Sequence, residues 1–120
     1  MKTLKTIFTI IISLVLGTNS FAQIHDHSKT AATKTETVKV WGNCEMCKAR
    51  IEKVARIEGV SKTEWNKETK VLTMVYDPSK VKSDDIQKKI AAAGHDTEKF
   101  KADDKTYKSL PACCQFERKK

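Results

Sequence analysis

A chain of 120 residues suits one domain, and 23 basic against 15 acidic residues give it a formal net charge of +8. That length allows a small core and excludes a large enzyme with a deep cleft. Lys and Glu alternate along most of the sequence without a long basic block, so the charge reads as a solvated surface that could dock an acidic protein partner.

The first segment reads as a secretory signal over residues 1–22. Lys2 and Lys5 precede an apolar run from Ile7 to Leu16, and Ser20 and Ala22 are small residues ahead of a cut after Ala22. The run is about half the length that a spanning helix needs, so no stable membrane anchor is expected after cleavage. The expected location is periplasmic or secreted, which argues against nucleic acid as a partner. Removing residues 1–22, which carry Lys2 and Lys5, leaves 98 residues with 21 basic and 15 acidic side chains, a net of +6.

Residues 23–36 lack apolar periodicity and read as a flexible polar arm. A domain over residues 37–101 follows. Val38, Val40 and Trp41 predict a first strand ending at Gly42-Asn43. Cys47, Ile51, Val54 and Ala55 then share one face of a helix that Gly59 stops. Ser61, Thr63 and Trp65 alternate with polar residues, as in a half-buried strand, and a turn at residues 66–69 leads into the β-rich run Val71–Tyr76. Both faces of that run are largely apolar, so its inward side is open. Ser83 is the expected N-cap of a second helix with Ile86, Ile90 and Ala93 on one face, and Gly94 is its expected C-terminal cap. Residues 95–100 are expected to form a final strand, and residues 102–120 a polar tail. The order predicts an α+β, ferredoxin-like βαββαβ sandwich, with a four-stranded antiparallel sheet and two helices on one face.

The chemistry-bearing residues are four cysteines in two tight pairs, Cys44-x-x-Cys47 and Cys113-Cys114. Exported chains often use cysteine for disulfides, but pairs this local would staple little. Cys44 and Cys47 fall on the first strand-to-helix turn. A helix N-terminus stabilises a thiolate, and so does nearby positive charge, which Lys48 and Arg50 could supply. Two such sulfurs suit Cu(I) or Hg(II), whereas zinc usually takes four ligands, so the pair alone makes a poor Zn(II) site.

The stretch from Cys44 through Lys48-Ala-Arg-Ile51 to Gly59-Val60 resembles the heavy-metal-associated domain family. The resemblance covers about residues 36–101 and extends to Tyr76-Asp77-Pro78 and Ala93-Gly94-His95-Asp96. The family includes copper chaperones, modules of metal-pumping ATPases and periplasmic mercury-binding proteins. The resemblance implies that Cys44 and Cys47 are the metal ligands and that a transporter or ATPase is the partner. Gly42 departs from the pattern, since a Met that packs beneath the loop commonly stands there. A more mobile loop is the expected consequence, with Met46 either compensating or simply exposed. In this topology the turn carrying His95 lies beside the loop, where a neutral imidazole could be a third ligand and a charged one would offset an anionic site.

Two further candidates lie outside the domain. The tail can reach back to Cys44, so Cys113 and Cys114 are candidate ligands, in cis or across a metal-bridged dimer of an otherwise monomeric protein. If cleavage follows Ala22, the amine of Gln23 with His25 could form a Cu(II) or Ni(II) site. The expected function is non-enzymatic: a soft-metal carrier that sequesters its ion or delivers it. A thiol–disulfide redox protein is the alternative.

Overall fold

The computed structural model describes residues 32–120. The expected signal, its cleavage site, His25 and the arm as far as residue 31 lie outside the described residues. Strand β1 is Lys34–Lys39, helix α1 Glu45–Ala55, β2 Val60–Trp65, β3 Val71–Tyr76 and α2 Ser83–Ala92. A short helix, α3, covers Asp104–Lys108, and a 3-10 turn covers Ala112–Cys114. Among the described residues no helix is long and apolar enough to cross a membrane.

The strands form one antiparallel sheet in the order β1-β3-β2. β3 is central, and its inward face is Leu72, Met74 and Tyr76. Opposite them the inward residues are Val38 from β1 and Thr63 and Trp65 from β2. Ser61, expected inward, is exposed because β2 changes register between Val60 and Lys62. Ile51 from α1 and Ile86 and Ile90 from α2 complete the core, and all three are fully buried. Burial of each stabilises the fold by roughly 1.5–3 kcal/mol.

Three boundaries differ from the sequence reading. β1 begins at Lys34, so residues 34–36 belong to the sheet and not to the arm. Glu36 explains why: its carboxylate accepts hydrogen bonds from Tyr76 Oη at 2.6 Å and from the Ser83 hydroxyl at 2.9 Å. Ser83 therefore opens α2 rather than capping it, and Lys82 is the N-cap residue. The four-stranded sheet is also corrected, because the described residues form three strands. The segment after α2 makes a single bridge, Val40 with Thr97. It cannot run on because Thr97 N–H closes a turn onto Phe100 O at 2.7 Å. Next to it, the carboxylate of Asp96 turns inward to the Ala102 N–H at 2.8 Å and to Arg118.

The tail is packed structure. Leu110 lies over Gly94, where a Cβ would meet Leu110 Cδ2 at 3.0 Å and where φ is +107°. Both facts require glycine at this helix end. Phe116 is buried, with its ring 5.4 Å from that of His95 in a stacked arrangement, and Tyr107 Oη donates to its carbonyl at 2.5 Å. These contacts bring residues 112–114 back to the N-terminus of α1.

Candidate metal centre

Cys44 stands at the N-cap of α1 with extended backbone, and its carbonyl accepts the Lys48 N–H at 3.0 Å. Cys47, one turn in, faces the core and is fully buried. The sulfurs of the two lie 3.4 Å apart. Cys114 Sγ lies 3.5 Å from Cys44 Sγ, although 70 residues separate them. The three sulfurs are all within 4.8 Å of one another, and all four cysteines carry free thiols. With metal–sulfur bonds of about 2.3 Å, a three-thiolate site needs sulfurs about 3.8–4.0 Å apart, so small side-chain adjustments suffice.

The two loop thiols differ in acidity. Burial disfavours the Cys44 thiolate, but the Cys47 backbone amide and the thiols of Cys47, Cys114 and Cys113 outweigh it and lower its pKa to about 7. Burial dominates at Cys47, raising it to about 12. One sulfur is thus ready to bind near neutral pH, and the buried one loses its proton to solvent when an ion displaces it. Of the two stabilisers the sequence suggests, the helix N-terminus is in place at Cys44, whereas Lys48 and Arg50, the candidate sources of nearby charge, are committed elsewhere. Lys48 Nζ pairs with Glu52 at 2.6 Å and donates to Trp65 O at 2.9 Å, and Arg50 lies against His95.

The glycine departure has a structural answer. Trp65 fills the space beneath the loop, so a Cβ at Gly42 would stand 2.9 Å from its ring and 3.2 Å from Cys47 Cβ. The indole Nε1–H donates to Val40 O at 3.0 Å, and the Glu52 carboxylate accepts the Trp65 N–H at 3.0 Å. The loop therefore rests on a pinned indole, which removes the reason to expect a mobile one. Gly42→Met is expected to destabilise the fold by about 1–3 kcal/mol through overpacking, read as a lower urea midpoint. In a Trp65→Ala background, itself destabilised by about 3–5 kcal/mol, the added cost of Gly42→Met should be smaller, because the indole it would meet is gone.

His95 is not brought among the sulfurs. Its Nδ1–H donates to Trp41 O at 3.0 Å, which leaves Nε2 to accept from Arg50 at 3.5 Å. The residue is fully buried, and burial lowers its pKa to about 4, with Arg50 adding to the effect. It supports the loop as a neutral ring and supplies no cation to the site. An unfolded imidazole protonates near pH 6.5, the folded one only near 4, so below 6.5 the unfolded state binds more protons. Stability is accordingly expected to fall by about 2 kcal/mol between about pH 7 and about pH 5, at about 1.4 kcal/mol per pH step below the unfolded value. Urea titrations of the wild type and of His95→Asn, whose slope with pH should be shallower, check this.

Cys113 is exposed, outside the mutual triad, with its sulfur 3.9 Å from Cys114 Sγ and 3.5 Å from Met46 Sδ. The sequence reading left Cys113 and Cys114 as an undivided pair, because nothing in adjacent cysteines says which one turns inward.

A small α+β domain with thiols gathered at a helix N-terminus defines a soft-metal-binding module. Residues 32–96 match the model of the heavy-metal-associated domain, and the chain belongs to that family. A zinc-transporting ATPase of Synechocystis sp. (strain ATCC 27184 / PCC 6803 / Kazusa) is 36% identical over 70 residues, 57% of this chain. The chain spans only 10% of that ATPase's length. Among solved structures, oxidized MerP from Ralstonia metallidurans CH34 is 32% identical with a TM-score of 0.53, covering 56% of this chain and 96% of its own. The CopZ metallochaperone is 30% identical with a TM-score of 0.51, covering 53% and 98%. A putative copper-ion-binding protein from Bacillus anthracis str. Ames is 27% identical with a TM-score of 0.54, covering 57% and 100%. The match to the family model ends at residue 96, before the tail that carries Cys114.

Proposed function

We propose that this protein is an exported carrier of a soft ion, Cu(I) or Hg(II), held by Cys44 and Cys47 with Cys114 as a third thiolate. The observation that carries the reading is the convergence of three sulfurs within 4.8 Å at the first turn of α1. Thiolate sulfur selects soft ions, and three-coordination suits both. The relatives widen the choice: one is a zinc-transporting ATPase and another a putative copper-ion-binding protein. Zn(II) prefers a fourth ligand, which the triad by itself does not supply. The carrier delivers its ion to a membrane transporter or ATPase, and its net positive charge favours encounter with an acidic face of that partner. Export rests on the leader pattern of residues 1–22, and periplasmic or secreted location follows from it.

Native mass spectrometry of the reduced chain, titrated with Cu(I), Hg(II) and Zn(II) against a competing thiol, tests the reading. One tightly held Cu(I) or Hg(II) is expected. A reduced chain that retains neither ion would move the weight to thiol–disulfide chemistry, for which the acidic Cys44 beside Cys47 is suited.

A further inference from the structure

The sulfurs do not end at the triad. From the interior outward they run Cys47 and Cys114, both fully buried, then half-buried Cys44, then exposed Cys113 and Met46. Met46 is 53% exposed and is the one exposed large hydrophobic side chain among the described residues. It stands between the two loop cysteines, and its thioether touches a thiol from a segment 67 residues away. Core packing does not account for a methionine in solvent. A thioether is a soft, uncharged metal donor, and here it is presented beside a thiol donor. Cys113 is in turn 3.9 Å from Cys114, which is 3.5 Å from Cys44. Each sulfur is one short step from the next.

We propose that Cys113 and Met46 form an outer port, a weak soft-metal site that takes an ion from an incoming thiolate complex and passes it to the triad. The proposal rests on the reading of Cys44, Cys47 and Cys114 as the inner site. The ion arrives bound by two donor thiolates. Cys113 sulfur bonds to it, its proton goes to one donor thiolate, and that donor leaves as a thiol. Met46 sulfur fills the open position without adding charge. Cys114 sulfur then bonds to the ion and gives its proton to the second donor, which departs. Met46 releases first, as the weaker neutral ligand. Cys44 bonds and releases its proton to bulk water, Cys47 bonds next, and the last metal–Cys113 bond breaks as Cys113 takes up the proton that Cys47 gives up. The oxidation state of the metal is constant throughout, and the ion is never without sulfur ligands.

The test uses the full reduced chain with Ag(I), a redox-inert soft ion, supplied as its glutathione complex. Native mass spectrometry counts the ions, and stopped-flow thiolate-to-metal absorption follows loading. The wild type is expected to hold one tight ion and a second, weaker one. Cys113→Ser and Met46→Leu change exposed positions and should leave the fold intact. Each is expected to lose the second ion and to load the inner site about tenfold more slowly, with inner affinity within about threefold of wild type. One tight ion, no second ion and an unchanged loading rate would overturn the port alone. A Cys113→Ser chain that holds the inner ion as poorly as Cys114→Ser would make Cys113 a fourth inner ligand and also overturn it. A wild-type chain that holds no Ag(I) overturns the inner-site reading and the port with it.

Discussion

Cys44→Ser is expected to weaken Cu(I) or Hg(II) binding by at least about a thousandfold, or about 4 kcal/mol. Cys44 is the hub of the cluster, since its sulfur lies 3.4 Å from Cys47 Sγ and 3.5 Å from Cys114 Sγ. It is also the thiol whose pKa falls to about 7, so it is the sulfur that binds first without a large proton cost near neutral pH. A serine oxygen is a hard donor that stays protonated, so it replaces neither the charge nor the softness. Cys44 is half-buried and the substitution is nearly isosteric, so the fold should persist. Competition against a chromogenic ligand reads the affinity, and a thermal melt confirms the fold. Retention of the ion at wild-type affinity would show that the other sulfurs suffice and that the loop is not the anchor. Cys114→Ser should give a smaller loss, because the two-sulfur loop remains.

The metal loop was legible in the sequence because its signals are local. Cys44 and Cys47 fall where a strand pattern gives way to a helical one, and that spacing puts both sulfurs at one helix end. The core helices were legible for the same reason, as Ile51, Ile86 and Ile90 all lie on the expected faces. The inward side of β3 was open in the sequence because Val71, Thr73 and Val75 could pack as well as Leu72, Met74 and Tyr76. Register with β1 and β2 decides it, and register is a pairing between segments. The final strand failed for a related reason. Its residues have strand-like character, but Asp96 is drawn to a cation 22 residues further on. The tail lacks periodicity altogether, so a polar reading followed. It is held by single contacts, with Leu110 on Gly94, Phe116 on His95 and Arg118 on Asp96, and no window of sequence contains both members of any of these pairs as a pattern. Trp65 beneath Gly42 belongs to the same class. A small residue and a large one compensate across 23 positions, which spacing rules do not detect.

Arg118→Ala is expected to cost about 3–5 kcal/mol of stability and to lower metal affinity as well. Asp96 is fully buried, and Arg118 grips both of its oxygens, at 3.1 Å from Nε and 2.7 Å from Nη2. Burial opposes the Asp96 carboxylate, yet the hydrogen bonds from Arg118 prevail and hold its pKa below the ordinary value. Truncating the arginine leaves that charge with backbone N–H donors and no cation, the situation in which breaking a buried pair is most costly. Arg118 also donates to Ala102 O and lies over the Tyr107 ring at 4.6 Å, so it ties the end of the chain to α3. Tyr107 in turn holds Phe116, two residues from Cys114. Loosening the tail therefore withdraws the third sulfur, and the affinity of Arg118→Ala should fall toward that of Cys114→Ser. The double variant Asp96→Asn with Arg118→Met separates the two effects. It removes both charges, so stability should recover by most of the loss, while affinity returns only as far as the tail repacks. Urea unfolding gives the first quantity and ligand competition the second. An Arg118→Ala chain with wild-type stability and a reduced affinity would mean that the ion pair positions Cys114 without bracing the fold. Loss of stability with unchanged affinity would mean that Cys114 reaches the loop without the lock, leaving Phe116 on His95 as the contact that holds it there.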